Sequence, residues 1–185
     1  MVSKIIVSTG ATFDDEIELA STVLDGASYA FLHCVTIYPT PLNEMHLSRM
    51  EYLRRFTAEV GFSDHSLGTE MASAAVALGA CMIEKHFTLD RTKIGMDNQM
   101  ASEPEEMALL VRNCHNVQIA LGDTRRIVLP AELEQRKKMR RSIVAIKDTK
   151  AGTRLKTDNL DVKRPGTGLP PNKISELVGK TLLRD

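Results

Sequence analysis

Apolar positions along this chain come as a short run followed by helical spacing, four times in succession. Lys4-Ile5-Ile6-Val7-Ser8-Thr9-Gly10 reads as an aliphatic strand closed by a turn, and Ile17, Ala20 and Leu24 fall on one face of a helix over 14–24. Tyr29 to Val35 reads as a second strand; Pro39 and Pro41 force a loop after it, and Met45 to Phe56 supplies its helix. Val60 to Ser63 is the third strand, with Ser66 placed to cap a helix running to Ala80. Cys81 to His86 is the fourth. A polar loop over 91–101 follows, then Ser102-Glu103-Pro104-Glu105 in the form of a capping box and a helix whose apolar face is Met107, Leu110, Val111, Cys114, Val117 and Leu121. Alternation of this kind predicts a parallel sheet covered by helices.

The pattern then changes. Gly122 to Lys138 is polar and reads as a linker. From Arg141-Ser142-Ile143-Val144-Ala145-Ile146 onward, brief strands are punctuated by turns such as Arg164-Pro165-Gly166-Thr167-Gly168, the mark of a small β-rich module. The expected organisation is a partial barrel over 1–121, a linker over 122–138 and an incomplete module over 139–185. Four β/α units make half of an eight-stranded barrel and leave two sheet edges and one face uncovered. The chain is therefore expected to be a piece of a longer protein, or to close its barrel with another chain.

Charge narrows the partners only a little. Lysine plus arginine and aspartate plus glutamate both number 24, so no basic excess calls for nucleic acid or a membrane surface. No apolar run nears the roughly 20 residues of a membrane span, and Met1-Val2-Ser3-Lys4 leads straight into a strand rather than a signal segment, so a cytoplasmic protein is expected. Cys34, Cys81 and Cys114 are odd in number and read as small buried hydrophobes in a reducing compartment.

The candidate chemistry lies at two strand tips, Phe62-Ser63-Asp64-His65 and Ile83-Glu84-Lys85-His86. A barrel opens its active face at the carboxyl ends of its strands, and a buried strand has no structural need of polar groups there, since each must find a partner. Imidazoles from neighbouring tips are either ligands for a borderline metal ion or hydrogen-bonded rim residues. Ser8 and Ser63 are either anion-binding hydroxyls or turn residues. Asp64 or Glu84 can orient an imidazole or take a proton, and Lys85 reads as the structural partner of a nearby acid. His33, His46 and His115 share no ligand spacing.

Five signatures in order, Ser8-Thr9-Gly10, His33-Cys34 with Tyr38-Pro39-Thr40-Pro41, Phe62-Ser63-Asp64-His65, Glu84-Lys85-His86-Phe87-Thr88-Leu89-Asp90 and Lys163-Arg164-Pro165-Gly166-Thr167-Gly168, make the chain resemble the sialic acid synthases over nearly its whole length. The resemblance implies the last four units of a (β/α)8 TIM barrel followed by a small antifreeze-like (SAF) β-clip domain. It also implies a homodimer in which that domain covers the partner's active site. The family condenses phosphoenolpyruvate with an N-acetylmannosamine-type aldehyde to a nine-carbon 2-keto sugar acid and phosphate. Carried onto this chain, it makes His65 and His86 ligands of a divalent ion, manganese or alternatively magnesium or cobalt. Ser8, Thr36 and Ser63 become phosphoenolpyruvate contacts, with Thr36 standing where relatives often have Asn or Ser. Glu84, and secondarily Asp64, take the proton-handling role. Tyr38, Asp97 and Arg164 become sugar contacts, although Gly95-Met96-Asp97-Asn98 departs from the common Gly-Pro-Asp-His. The alternative is a non-catalytic fragment or partner subunit that binds sugar or a complementary half-barrel.

Overall fold

The computed structural model describes residues 3–185. Met1 and Val2, expected to lead straight into the first strand, lie outside the described residues. The chain divides into two compact units, Met1–Asp123 and Thr124–Asp185.

The first unit is a four-stranded, all-parallel sheet in sequence order: β1 (Ile5–Ser8), β2 (Tyr29–Cys34), β3 (Val60–Asp64) and β4 (Ile83–Lys85). Helices α1 (Asp14–Val23), α2 (Arg49–Leu53), α3 (Glu70–Ala77) and α4 (Pro104–Leu121) follow the strands one by one. This is half of a (β/α)8 barrel. Because side chains alternate along a strand, the register sorts them onto two faces. Val7, Tyr29, Phe31, Val60, Phe62 and Ile83 pack against Ile17, Met45, Met50, Leu53 and Ala75 of the helical layer. Phe31 and Phe62 are buried there, and Phe31 meets Tyr29 and Phe56 edge-on at 5.2 and 6.5 Å. Ile6, Ser8, Leu32, Cys34, Gly61, Ser63 and Glu84 share the opposite face, where Ile6, Ser8 and Glu84 are exposed.

Several local expectations are corrected. The helix expected over Met45–Phe56 is interrupted because His46 adopts a left-handed conformation (φ 46°), so only Arg49–Leu53 is α-helical. Ser66 does not cap α3: its hydroxyl is committed to Asp64, and the helix begins at Glu70 after Thr69. The capping box at 102–105 is absent. Pro104 occupies the first turn of α4 and has no N–H to be capped, while Ser102 bonds through its backbone to His86 and Thr88, extending the pairing beyond β4. Cys34 is buried as expected, but Cys81 is exposed and Cys114 half-buried.

The second unit holds α5 (Pro130–Met139), an antiparallel ribbon of β5 (Ser142–Ala145) and β6 (Leu160–Lys163), and the short helix α6 (Ile174–Leu177). Helix α5 lies in the stretch expected to be a linker. It starts with proline at its first position, and Glu132 reaches back to accept the Leu129 N–H at 3.0 Å. Among the described residues no helix is long and apolar enough to cross a membrane.

The core also buries an imidazole. His33 is 4% exposed, stacks on Phe62 with centroids 5.8 Å apart, and its Nε2 lies 2.7 Å from the Met45 carbonyl. Burial, the largest influence, holds its pKa below the ordinary 6.5. The unfolded chain therefore takes up this proton first as pH falls, and stability declines below about pH 6.5. Urea titrations between pH 7.5 and 5.5 should show that decline, and His33→Gln, which keeps a donor without a titrating ring, should flatten it.

Candidate active site

The same alternation divides the two polar strand tips. Ser63 and His65 leave β3 on the open face, and Glu84 and His86 leave β4 beside them, with Glu84 the register partner of Ser63. Asp64 and Lys85 pair in register on the opposite, helix-covered face, where their side chains are 0% and 3% exposed. The Asp64 carboxylate takes Lys85 Nζ at 2.9 Å on one oxygen, and the Ser66 N–H at 2.9 Å and hydroxyl at 2.6 Å on the other. Lys85 also donates to the Ser66 carbonyl at 2.7 Å. Lys85 is thus the partner of a neighbouring acid, as its sequence setting suggests. Asp64, the secondary proton-handling candidate, is thus engaged on the face opposite Glu84, the acid of the open face.

On the open face Ser63 donates its hydroxyl to Glu84 Oε1 at 2.7 Å and lies 3.5 Å from His65 Nε2. His65 Nδ1 is 2.9 Å from the Val35 carbonyl. A carbonyl can only accept, so Nδ1 carries the proton and Nε2 presents its lone pair. The rings of His65 and His86 stand nearly perpendicular, centroids 5.2 Å apart. Tyr38 covers both, at 4.3 and 5.9 Å. Desolvation raises the Tyr38 pKa, helped by the nearby carboxylates of Asp97 and Glu84, so the phenol remains a donor at neutral pH. Asp97, on the loop after β4, approaches His86 Nδ1 to 3.6 Å. That loop is tied to α4 through Arg91, which pairs with Glu106 and donates to the Ala101 carbonyl at 2.7 Å.

Ser8 ends β1 on the open face, with its oxygen 3.4 Å from the Gly10 N–H. Thr36 lies in the loop after β2, its hydroxyl 4.0 Å from Cys34 Sγ. A Cβ on Gly10 would come within 2.3 Å of the Thr36 hydroxyl and 2.9 Å of Cys34 Sγ, so glycine is what allows these two loops to close together. Arg164 belongs to the second unit, where its Nε donates to the Met139 carbonyl at 3.0 Å. Sequence reasoning missed two contributors. Cys34, read as core, has its sulfur 3.8 Å from His65 Nδ1, and the Val35 carbonyl that fixes the imidazole carries no side-chain signal at all.

The donor set can be tested against a divalent ion. With nitrogen–metal distances of about 2.1 Å, two imidazoles on one ion keep their centroids within roughly 6.6 Å; the observed 5.2 Å fits. The free lone pair of His65 Nε2 fits as well. Among the described residues no three His, Cys, Asp or Glu side chains form a metal cluster, so an ion held by the two imidazoles would need further ligands from outside this set.

Residues 1–126 match the NeuB family, and residues 140–185 match the SAF domain. The chain belongs to the NeuB family. It is 42% identical over 183 residues to the N,N'-diacetyllegionaminic acid synthase of Campylobacter jejuni, covering 96% of this chain and 55% of that protein. It is 39% identical over 159 residues to the N-acetylneuraminate-9-phosphate synthase of Mus musculus, covering 84% and 44%. The solved N-acetylneuraminic acid (sialic acid) synthetase of Leptospira borgpetersenii, in complex with citrate, aligns with a TM-score of 0.65 and 36% identity over 70% of this chain and 47% of that one. This NeuB-family chain thus spans about half the length of the relatives it matches.

The two carboxylates should separate in experiment. Asp64→Asn leaves the Lys85 ammonium buried without its counter-charge and should cost about 3–5 kcal/mol in denaturant unfolding. Glu84→Gln, on the open face, should stay within about 0.5 kcal/mol of the unsubstituted chain.

Proposed function

We propose that this chain is the carboxyl-terminal half-barrel and SAF domain of an enzyme that condenses phosphoenolpyruvate with an N-acetylmannosamine-type amino sugar, giving a nine-carbon 2-keto sugar acid and phosphate. The observation that carries the reading is the convergence of Ser63, His65, Glu84 and His86 on one face, with the imidazoles 5.2 Å apart. The names of the relatives support the class of reaction.

His65 and His86 would hold a divalent ion, manganese or alternatively magnesium or cobalt, which supplies Lewis-acid polarisation of the aldehyde oxygen. Ser8, Thr36 and Ser63 offer hydroxyls to the carboxylate or phosphate of phosphoenolpyruvate. Ser63 has a single proton, now given to Glu84; turning it to a bound oxyanion frees the Glu84 carboxylate. As the methylene carbon of phosphoenolpyruvate bonds to the aldehyde carbon, the aldehyde C=O π bond opens to an alkoxide; water adds to the carbon bearing phosphate, Glu84 takes that water's proton, and the alkoxide is protonated to the product hydroxyl. Loss of phosphate leaves the keto group. Tyr38 packs on the sugar, whose hydroxyls donate to Asp97.

Among the described residues no lysine or arginine lies on the open face of these four strands, so the charge of phosphoenolpyruvate would be met by the loops at the strand ends or by groups outside this half-barrel. Residues 1–123 carry 17 acidic and 8 basic side chains, a net −9, whereas residues 124–185 carry 7 and 16, a net +9. Opposite charge on the two units supports a homodimer in which the SAF domain of one copy covers the other's site and brings Arg164 to the N-acyl carbonyl.

The test combines this chain with the barrel half that precedes the matching region in its relatives, in one polypeptide or alongside. Phosphate release should then require both phosphoenolpyruvate and the amino sugar, and Glu84→Gln should lower kcat by about 10²–10⁴. Turnover without phosphoenolpyruvate, or full activity of Glu84→Gln, would contradict the proposal. Binding of sugar without any turnover would favour a non-catalytic partner subunit.

A further inference from the structure

Ser142, the first residue of β5, is 5% exposed, yet its hydroxyl is doubly used. It donates to the Pro165 carbonyl at 2.8 Å and accepts the Gly168 N–H at 2.8 Å. These two points bracket the loop that starts at Arg164. Three further bonds hold the same loop: Arg164 Nε to the Met139 carbonyl at 3.0 Å, Gly166 N–H to the Lys137 carbonyl at 2.8 Å, and Ile143 N–H to the Leu169 carbonyl at 2.8 Å. The packing leaves little slack. A Cβ on Gly166 would fall 2.5 Å from Arg140 Cβ, and one on Gly168 3.1 Å from Ser142 Cβ.

We infer that Ser142 is a positioning residue for Arg164, acting on amino-sugar binding through the loop it clamps, an inference that rests on the sugar-binding role proposed for Arg164. The bond from Nε to Met139 fixes the plane of the guanidinium while engaging only one of its five N–H groups. The remaining donors form a planar fork suited to a carbonyl or carboxylate. A fork is selective only if its backbone is held still, because aiming error is lost directly from bidentate geometry. Helix and strand hold the loop with backbone groups that any sequence provides. Ser142 adds the side-chain contribution, tying the carbonyl one residue after Arg164 to the amide four residues after it.

The test is steady-state kinetics of the complete enzyme carrying Ser142→Ala, Gly168→Ala, Arg164→Ala and the Ser142→Ala/Arg164→Ala pair, with thermal melts of each. Ser142→Ala should raise KM for the amino sugar about five- to tenfold, leaving kcat and the KM for phosphoenolpyruvate within about twofold. Gly168→Ala keeps the hydroxyl but crowds it, and should raise the same KM. The double variant should match Arg164→Ala alone, since a clamp has nothing left to aim. Additive losses in the pair would overturn the inference. So would a Ser142→Ala enzyme with unchanged sugar KM, or one whose kcat falls equally with both substrates. If Arg164→Ala itself leaves the sugar KM unchanged, the sugar-binding role of Arg164 fails first and the inference with it.

Discussion

The buried ion pair between Asp64 and Lys85 fixes the register in which the third and fourth strands meet, and every statement about the site depends on that register. On the helix side of the sheet the carboxylate accepts three hydrogen bonds and the ammonium donates two. A one-residue slip of the fourth strand would turn Lys85 to the open face, leave Asp64 buried without its counter-charge and drive Glu84 and His86 into the helical layer. The net stabilisation from such a pair is small, because desolvation offsets most of the attraction. Breaking it is expensive, since one charge is then left buried alone. A one-residue slip is therefore strongly disfavoured, which is how a structural pair away from the chemistry governs where the chemistry is.

Around that register the rest of the half-barrel divides into layers with separate tasks. Aromatic and aliphatic side chains on the helix side make the core; on the other side the ends of the strands carry hydroxyls, a carboxylate and two imidazoles. The loops after the strands finish the arrangement. The chain after β2 supplies the Val35 carbonyl that sets the His65 tautomer and the Tyr38 ring that covers both imidazoles. The loop after β4, anchored by Arg91 to α4, brings Asp97 to His86. In the second unit the Arg164 loop is fastened with comparable economy, by bonds from α5 and β5.

Much of this was legible before any coordinates. Four β/α units, the amphipathic α4 and the polar strand tips follow from spacing alone, and the five signatures carried the family. Period-two alternation by itself puts Asp64 with Lys85 on the face opposite Ser63 and His65. The errors have physical causes. Ser66 looked like a helix cap, but a nearby carboxylate outcompeted the backbone amides for its hydroxyl. Helix α5 escaped notice because it has no apolar stripe, although the Leu129-Pro130 entry and Glu132 were a usable start signal. The equal totals of acidic and basic residues concealed two units of opposite charge, visible only once the boundary near residue 123 was known. The Val35 carbonyl and the break at His46 in the helix expected over Met45–Phe56 are properties of backbone conformation with no distinctive residue to announce them.

The central claim is that strand register brings His65 and His86 to one divalent ion. Electron spin-echo spectroscopy on the manganese-loaded complete protein reads this directly, because imidazole nitrogens bound to manganese modulate the echo. The account predicts modulation from two nitrogens, reduced to one in His65→Ala and in His86→Ala alike. Manganese bound with no nitrogen modulation, or modulation untouched by either substitution, would contradict it.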